Sequence, residues 1–158
     1  MVLSRTGRPT TPGPILFAYD GSDLAALAIA EAGRQFEEGR EAVVVCVWQP
    51  VDVGFHPVGD KHFDADAAPQ VRAAAEVTAA HGASLAREAG FMPTSVTREA
   101  APTWQGIIDA AAEHQAGVIV VGTHRRKGVM GHLVGTVAAA VIAHSGCPVL
   151  VIHAPASE

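Results

Sequence analysis

The sequence predicts an α/β fold: an open, doubly wound sheet of five parallel strands in the order 3-2-1-4-5, with helices on both faces. Three observations predict it. Four apolar runs rich in Val and Ile do not alternate with polar residues, as strands buried on both faces require. Helical patterns fill the intervals, so the element order is β-α-β-α-β-α-β-α-β. A fifth, polar strand candidate suits a sheet edge, and right-handed crossovers then leave few arrangements.

The first strand is PILFAY, residues 14–19. Ser22 is placed to cap a helix from about 23 to 37, with Leu24, Leu27, Ala28 and Ala32 on one face and Asp23 complementing the dipole. The second strand is AVVVCVW, 42–48. The next helix starts near Pro69, a residue suited to a first turn, and stops at Gly90, a C-terminal cap. The polar candidate TSVTRE, 94–99, follows. Behind a Thr103 cap, Trp104, Ile107, Ile108, Ala111 and Ala112 recur as the buried stripe of a third helix. The fourth strand is GVIVVG, 117–122, and the fourth helix runs from Gly135 or Thr136 to Ser145, ended by Gly146. PVLVIH, 148–153, closes the chain's regular structure.

With the polar strand as one edge, the first three strands run outward in order and the chain returns to the far side of strand one. Ligand crevices in such sheets open at the carboxyl ends of the strands where the order reverses, here between strands one and four. Tyr19, Asp20 and Gly21 stand on one side, and Gly122, Thr123, His124 and Arg125 on the other. The stretch VVGTHRRKGVMGHLVGTVAAAV, 120–141, therefore lies at the crevice. The last strand raises a separate matter. It is apolar on both faces yet sits at an outer edge, which invites symmetric pairing into a two-fold homodimer through Pro148–His153.

A chain of 158 residues is one domain in size, with a loose tail over 1–13 and a single α/β domain over 14–158. Nearly half of it is hydrophobic, enough for a sizeable core. Its net charge of -5 argues against a general nucleic-acid binder. Against that background Arg125, Arg126 and Lys127 favour a small anionic ligand over a polyanion. No apolar run reaches membrane-span length and none forms a signal-peptide core, so a cytoplasmic location is expected, with no membrane partner. Cys46 and Cys147 fit buried free thiols in a reducing compartment.

Strand, glycine loop and helix is an arrangement that binds phosphates, because a helix start offers unpaired N–H groups and partial positive charge. Neither GxxxxGK[ST] nor GxGxxG occurs, so residue patterns alone leave a phosphate loop and a simple tight turn both open. The resemblance is more specific. ILFAYDGSDLAALAIAEA resembles the opening strand and helix of the universal stress protein family, and VIVVGTHRRKGVMGHLVGTVAAAVIAHSGCPVLVIH its closing strand, loop, helix and strand. The likeness spans roughly residues 14 to 153, apart from about 51 to 68.

That resemblance implies the same open sheet, dimers through the final strand, and a bound adenine nucleotide such as ATP, with or without Mg²⁺. Nucleotide-binding members carry G-x2-G-x9-G-[ST]. Here Gly122 and Gly135-Thr136 match, while Arg125 replaces the second glycine. The resemblance sets Asp20 near the ribose, Ala18 and Tyr19 beside the base, and Val47 as a backbone partner of adenine. Val121, Gly122 and His124 would line the crevice, with Gly135, Thr136 and Val137 receiving phosphates. Arg125 would either contact those phosphates or pair with Asp20 and fill the site without ligand.

No structural metal is expected: His56, His62, Asp64 and Asp66 lack ligand spacing and read better as a loop over the crevice mouth. Asp20, Thr136 and His124 make no triad or two-metal set, so the expectation is a nucleotide-binding regulatory dimer in the stress response, not an enzyme beyond weak ATP hydrolysis or self-phosphorylation at Thr136. The alternatives are such a slow ATPase and a ligand-free interaction module.

Overall fold

A computed structural model of the chain describes residues 12–49, 68–123 and 135–155. Five strands, β1 (Ile15–Ala18), β2 (Glu41–Trp48), β3 (Met92–Glu99), β4 (Val118–Thr123) and β5 (Val149–His153), alternate with four helices, α1 (Asp23–Gln35), α2 (Ala68–Glu88), α3 (Thr103–Glu113) and α4 (Thr136–His144). The sheet is wholly parallel in the order β3-β2-β1-β4-β5, as expected. The central strand explains the uninterrupted apolar letters: Ile15, Leu16 and Phe17 are all fully buried, because helices cover both faces. Ile15, Phe17 and Tyr19 pack on one side with α1 and α2. Leu16 packs on the other with Ile107, Ala110 and Ala111 of α3 and Ala138 and Val141 of α4.

The helix ends follow local chemistry. Ser22 caps α1, its Oγ accepting the Ala25 N–H at 3.2 Å. Past α2, Gly90 takes φ +99°, and two bonds close the turn: Phe91 N–H to Ala86 C=O, and Gly90 N–H to Arg87 C=O. This is a Schellman motif, whose left-handed position glycine fills without steric cost. The end of α3 repeats it, with Ala116 bonding Ala111 and Gln115 bonding Ala112, but the left-handed residue there is Gln115 at φ 52°. Gln115→Gly is therefore expected to stabilise the fold. Relief of left-handed strain is worth about 1 kcal/mol, less the extra unfolded-state freedom of glycine. The net gain of about 0.5 kcal/mol or less would register as a rise of about 1–2 °C in the melting temperature by calorimetry.

Several sequence expectations need correction. Thr103 is not the cap of α3; Pro102 stands there and offers no side-chain hydrogen bond, and Thr103 is the first helical residue. The buried stripe of α3 is Gly106, Ile107, Ala110 and Ala111, while Ala112 is exposed and Trp104 and Ile108 are half-buried. Trp104 instead stacks on His144 of α4, with ring centroids 4.5 Å apart. The first helix ends at Gln35, and Leu27 is half-exposed where Ile29 is buried. Gly13, assigned by sequence to the tail, is held to the domain by the Arg40 guanidinium, which donates to its carbonyl at 3.0 Å. Both cysteines are free thiols, Cys46 buried and Cys147 half-buried.

Candidate functional site

A cleft of ≈ 390 Å³ opens at the carboxyl ends of β1 and β4, where the strand order reverses. Ala18, Tyr19, Asp20, Val47, Val121, Gly122, Thr123, Gly135, Thr136 and Val137 all border it, so ten positions scattered over the chain lie together there. His124 and Arg125 lie outside the described residues, as do residues 51–67 with His56, His62, Asp64 and Asp66. A larger hollow of ≈ 900 Å³ lies at the opposite, amino end of the strands, lined by Gly13, Glu41 and Met92 among others. It is remote from the strand-order reversal.

Three helix starts border the cleft, and those of α1 and α4 differ in what they offer an anion. The α1 start is already satisfied by Ser22 and carries Asp23 in its first turn, with Asp20 just ahead. An anion has little to gain there. The α4 start has Gly135 at the cap, no side-chain cap bond and no acidic residue in its first turn. The orphan N–H groups of a first turn and the helix dipole favour an anion at this end.

Thr123 ties the two walls together. It is a polar residue in the core, 3 % exposed, and its Oγ1 accepts the Gly135 N–H at 2.8 Å. The bond joins the end of β4 to the start of α4 across twelve residues of sequence. It also engages the Gly135 amide, so the donors left for a ligand are the N–H groups of Thr136, Val137 and Ala138. Gly122 serves packing: a Cβ there would come within 2.8 Å of Leu24 Cγ and 3.1 Å of the Leu24 carbonyl. The absent side chain lets β4 close on α1.

Asp20 is exposed, and its Oδ1 accepts the Ser22 N–H at 3.0 Å. That turn fixes the carboxylate and leaves a second oxygen for a ligand hydroxyl. Tyr19 borders the cleft, but its ring belongs to the other face of the sheet, within 2.6 Å of where a Cβ on Gly82 would stand. Its hydroxyl shares a 2.7 Å hydrogen bond with His81 Nδ1 of α2. Burial, and then the Asp20 carboxylate, push the Tyr19 phenol above its ordinary pKa. Burial likewise pushes the Cys46 thiol up. Ser22, Leu24, Ala25, Val45, Thr103, Ile107 and Ala138 also line the cleft and were not expected there. Only Val45, beside Val47 at alternate spacing on one strand, left a usable signal in the sequence.

The model of the universal stress protein family matches residues 12–153. The universal stress protein in the QAH/OAS sulfhydrylase 3′ region of Thermus aquaticus is 36% identical over 147 residues, covering 88% of this chain and 97% of that protein. Among solved structures, the universal stress protein from Archaeoglobus fulgidus is 25% identical with a TM-score of 0.66, covering 90% of this chain and 99% of its own. A universal stress protein in complex with cAMP is 21% identical with a TM-score of 0.62, covering 90% and 98%.

Proposed function

Because the chain belongs to the universal stress protein family, we propose that it is an adenine-nucleotide-binding regulatory homodimer of the stress response. The observation that carries this reading is the buried Thr123 hydroxyl, which holds the uncapped start of α4 at the cleft. The phosphates take the N–H groups of Thr136, Val137 and Ala138, and the Thr136 hydroxyl adds a donor. Asp20 accepts from the ribose, and the apolar end of the cleft receives the base. The cAMP complex of a family member is consistent with such an occupant.

The residues fit a nucleotide better than a metal centre. Asp20 is the one carboxylate among the described lining residues, so any Mg²⁺ enters with a triphosphate. Signalling follows from occupancy of the cleft between β1 and α4. Among the described residues no helix is long and apolar enough to cross a membrane.

Calorimetry on nucleotide-stripped protein with ATP, ADP, AMP and cyclic AMP tests the reading. Saturable heat with at least one of the four is expected. Absence of heat at millimolar concentrations would overturn it and leave a ligand-free interaction module.

A further inference from the structure

We propose that Trp104 and His144 are positioning residues for the phosphate end of the cleft, holding α4 at the angle that aims its first-turn amides. The inference rests on the nucleotide reading above. The N–H groups of a first turn point along the helix axis, so the direction of that axis is their aim. A hydrogen bond weakens steeply as its donor turns away from the acceptor. Two fixed points set a direction. The Thr123–Gly135 bond supplies one, at the start of the helix.

The body of α4 holds its direction weakly. It buries two side chains, Ala138 and Val141, where α1 buries five, and the one nearer the cleft is a single methyl group. Thr136, Val137, Ala139, Ile142 and Ala143 are exposed. The turn behind the helix is bonded within itself: Ser145 Oγ accepts from the Cys147 N–H at 3.1 Å and donates to the Cys147 carbonyl at 2.7 Å. The chain is back on the sheet at Pro148, whose carbonyl accepts from the Ile119 N–H.

The second fixed point is the far end of α4. There the His144 ring stacks on the Trp104 ring, with centroids 4.5 Å apart and planes 16° from parallel. His144 belongs to the last turn of α4 and Trp104 to the first turn of α3. Trp104 is itself half-buried against the core that holds Ile107 and Val141, so it gives His144 a firm seat. Without the stack α4 can swing about Gly135, and the amides of Thr136, Val137 and Ala138 swing with it.

The test measures AMP and adenosine binding by calorimetry in wild type, His144→Ala and His144→Phe, with circular dichroism melts as a fold control. Adenosine lacks the phosphate, so the advantage of AMP over adenosine reads the start of α4 alone. That advantage should fall about threefold or more in His144→Ala. It should stay within about twofold of wild type in His144→Phe, which keeps a ring on Trp104 without the imidazole. An unchanged advantage in His144→Ala, or an equal loss in His144→Phe, would overturn the positioning role while leaving nucleotide binding intact. Wild type that binds neither ligand, or AMP no better than adenosine, would instead overturn the phosphate reading of α4, and the inference with it.

Discussion

Gly135→Asp is expected to weaken nucleotide binding by more than about a hundredfold while leaving the fold at least as stable as before. The two effects have opposite signs for one physical reason. Gly135 sits at the cap of α4 with φ -57° and ψ 155°, a conformation any L-residue adopts. Aspartate is among the best residues for that place, because its carboxylate accepts the N–H groups of the second or third helical residue. Those are the amides of Val137 and Ala138, the donors assigned to phosphate.

The new Cβ would meet Thr123 Oγ1 at 3.3 Å, close enough to require a shift of a few tenths of an ångström. Capping offsets that strain, for a net change between zero and about 0.5 kcal/mol of added stability. Binding loses charge-assisted hydrogen bonds worth about 1.5–3 kcal/mol each and gains a negative charge beside the phosphates. A total near 3 kcal/mol or more corresponds to the hundredfold loss. Gly135→Asn, which takes the same donors without the charge, should fall between the two. Calorimetry and urea unfolding on the three proteins decide the matter. Affinity within fivefold of wild type in a folded Gly135→Asp protein would remove the start of α4 from the site.

The parts of the molecule legible in the sequence are those where one letter pattern has one physical cause. Buried parallel strands need unbroken apolar runs, and β1, β2 and β4 have them. Ser22 and Gly90 act at the positions their types favour. The reversal of strand order then located the cleft without reference to any side chain. What stayed illegible depends on packing between distant segments. Gly106 carries no hydrophobic signal, yet its burial against Val47 sets the rotation of α3 and displaces the stripe from Trp104, Ile108 and Ala112. Nothing in a glutamine announces the left-handed turn at Gln115. The Thr123–Gly135 bond joins residues whose partnership only the closed loop creates. Tyr19 follows from strand alternation: its neighbour Ala18 faces α3, so its own ring must face α2 and His81.

Val151→Pro should convert the proposed dimer into a folded monomer. In β5, the Pro148 carbonyl accepts from Ile119 N–H at 2.9 Å, and the Ala154 N–H donates to the Thr123 carbonyl at 3.1 Å. Hydrogen-bonding groups alternate sides along a strand, so Leu150 and Ile152 also face β4, while Val149, Val151 and His153 present theirs to the open edge. The edge is the last strand in the sheet order, and its apolar side chains from Val149 to Ile152 are only half-buried among the described residues. Pairing with the same strand of a second copy would cover both the amides and the side chains. Proline at 151 removes a donor from the middle of that edge and leaves the β4 ladder untouched, a placement strands tolerate. Ile152→Pro is the contrast: it strikes the ladder itself and should cost about 2–3 kcal/mol of stability. Sedimentation velocity then has three readable results. A wild-type dimer with a monomeric Val151→Pro places the interface on β5. A Val151→Pro dimer as tight as wild type moves it elsewhere, and a monomeric wild type at tens of micromolar overturns the dimer, because half-exposed Val and Ile along an open edge would then be tolerated without a partner.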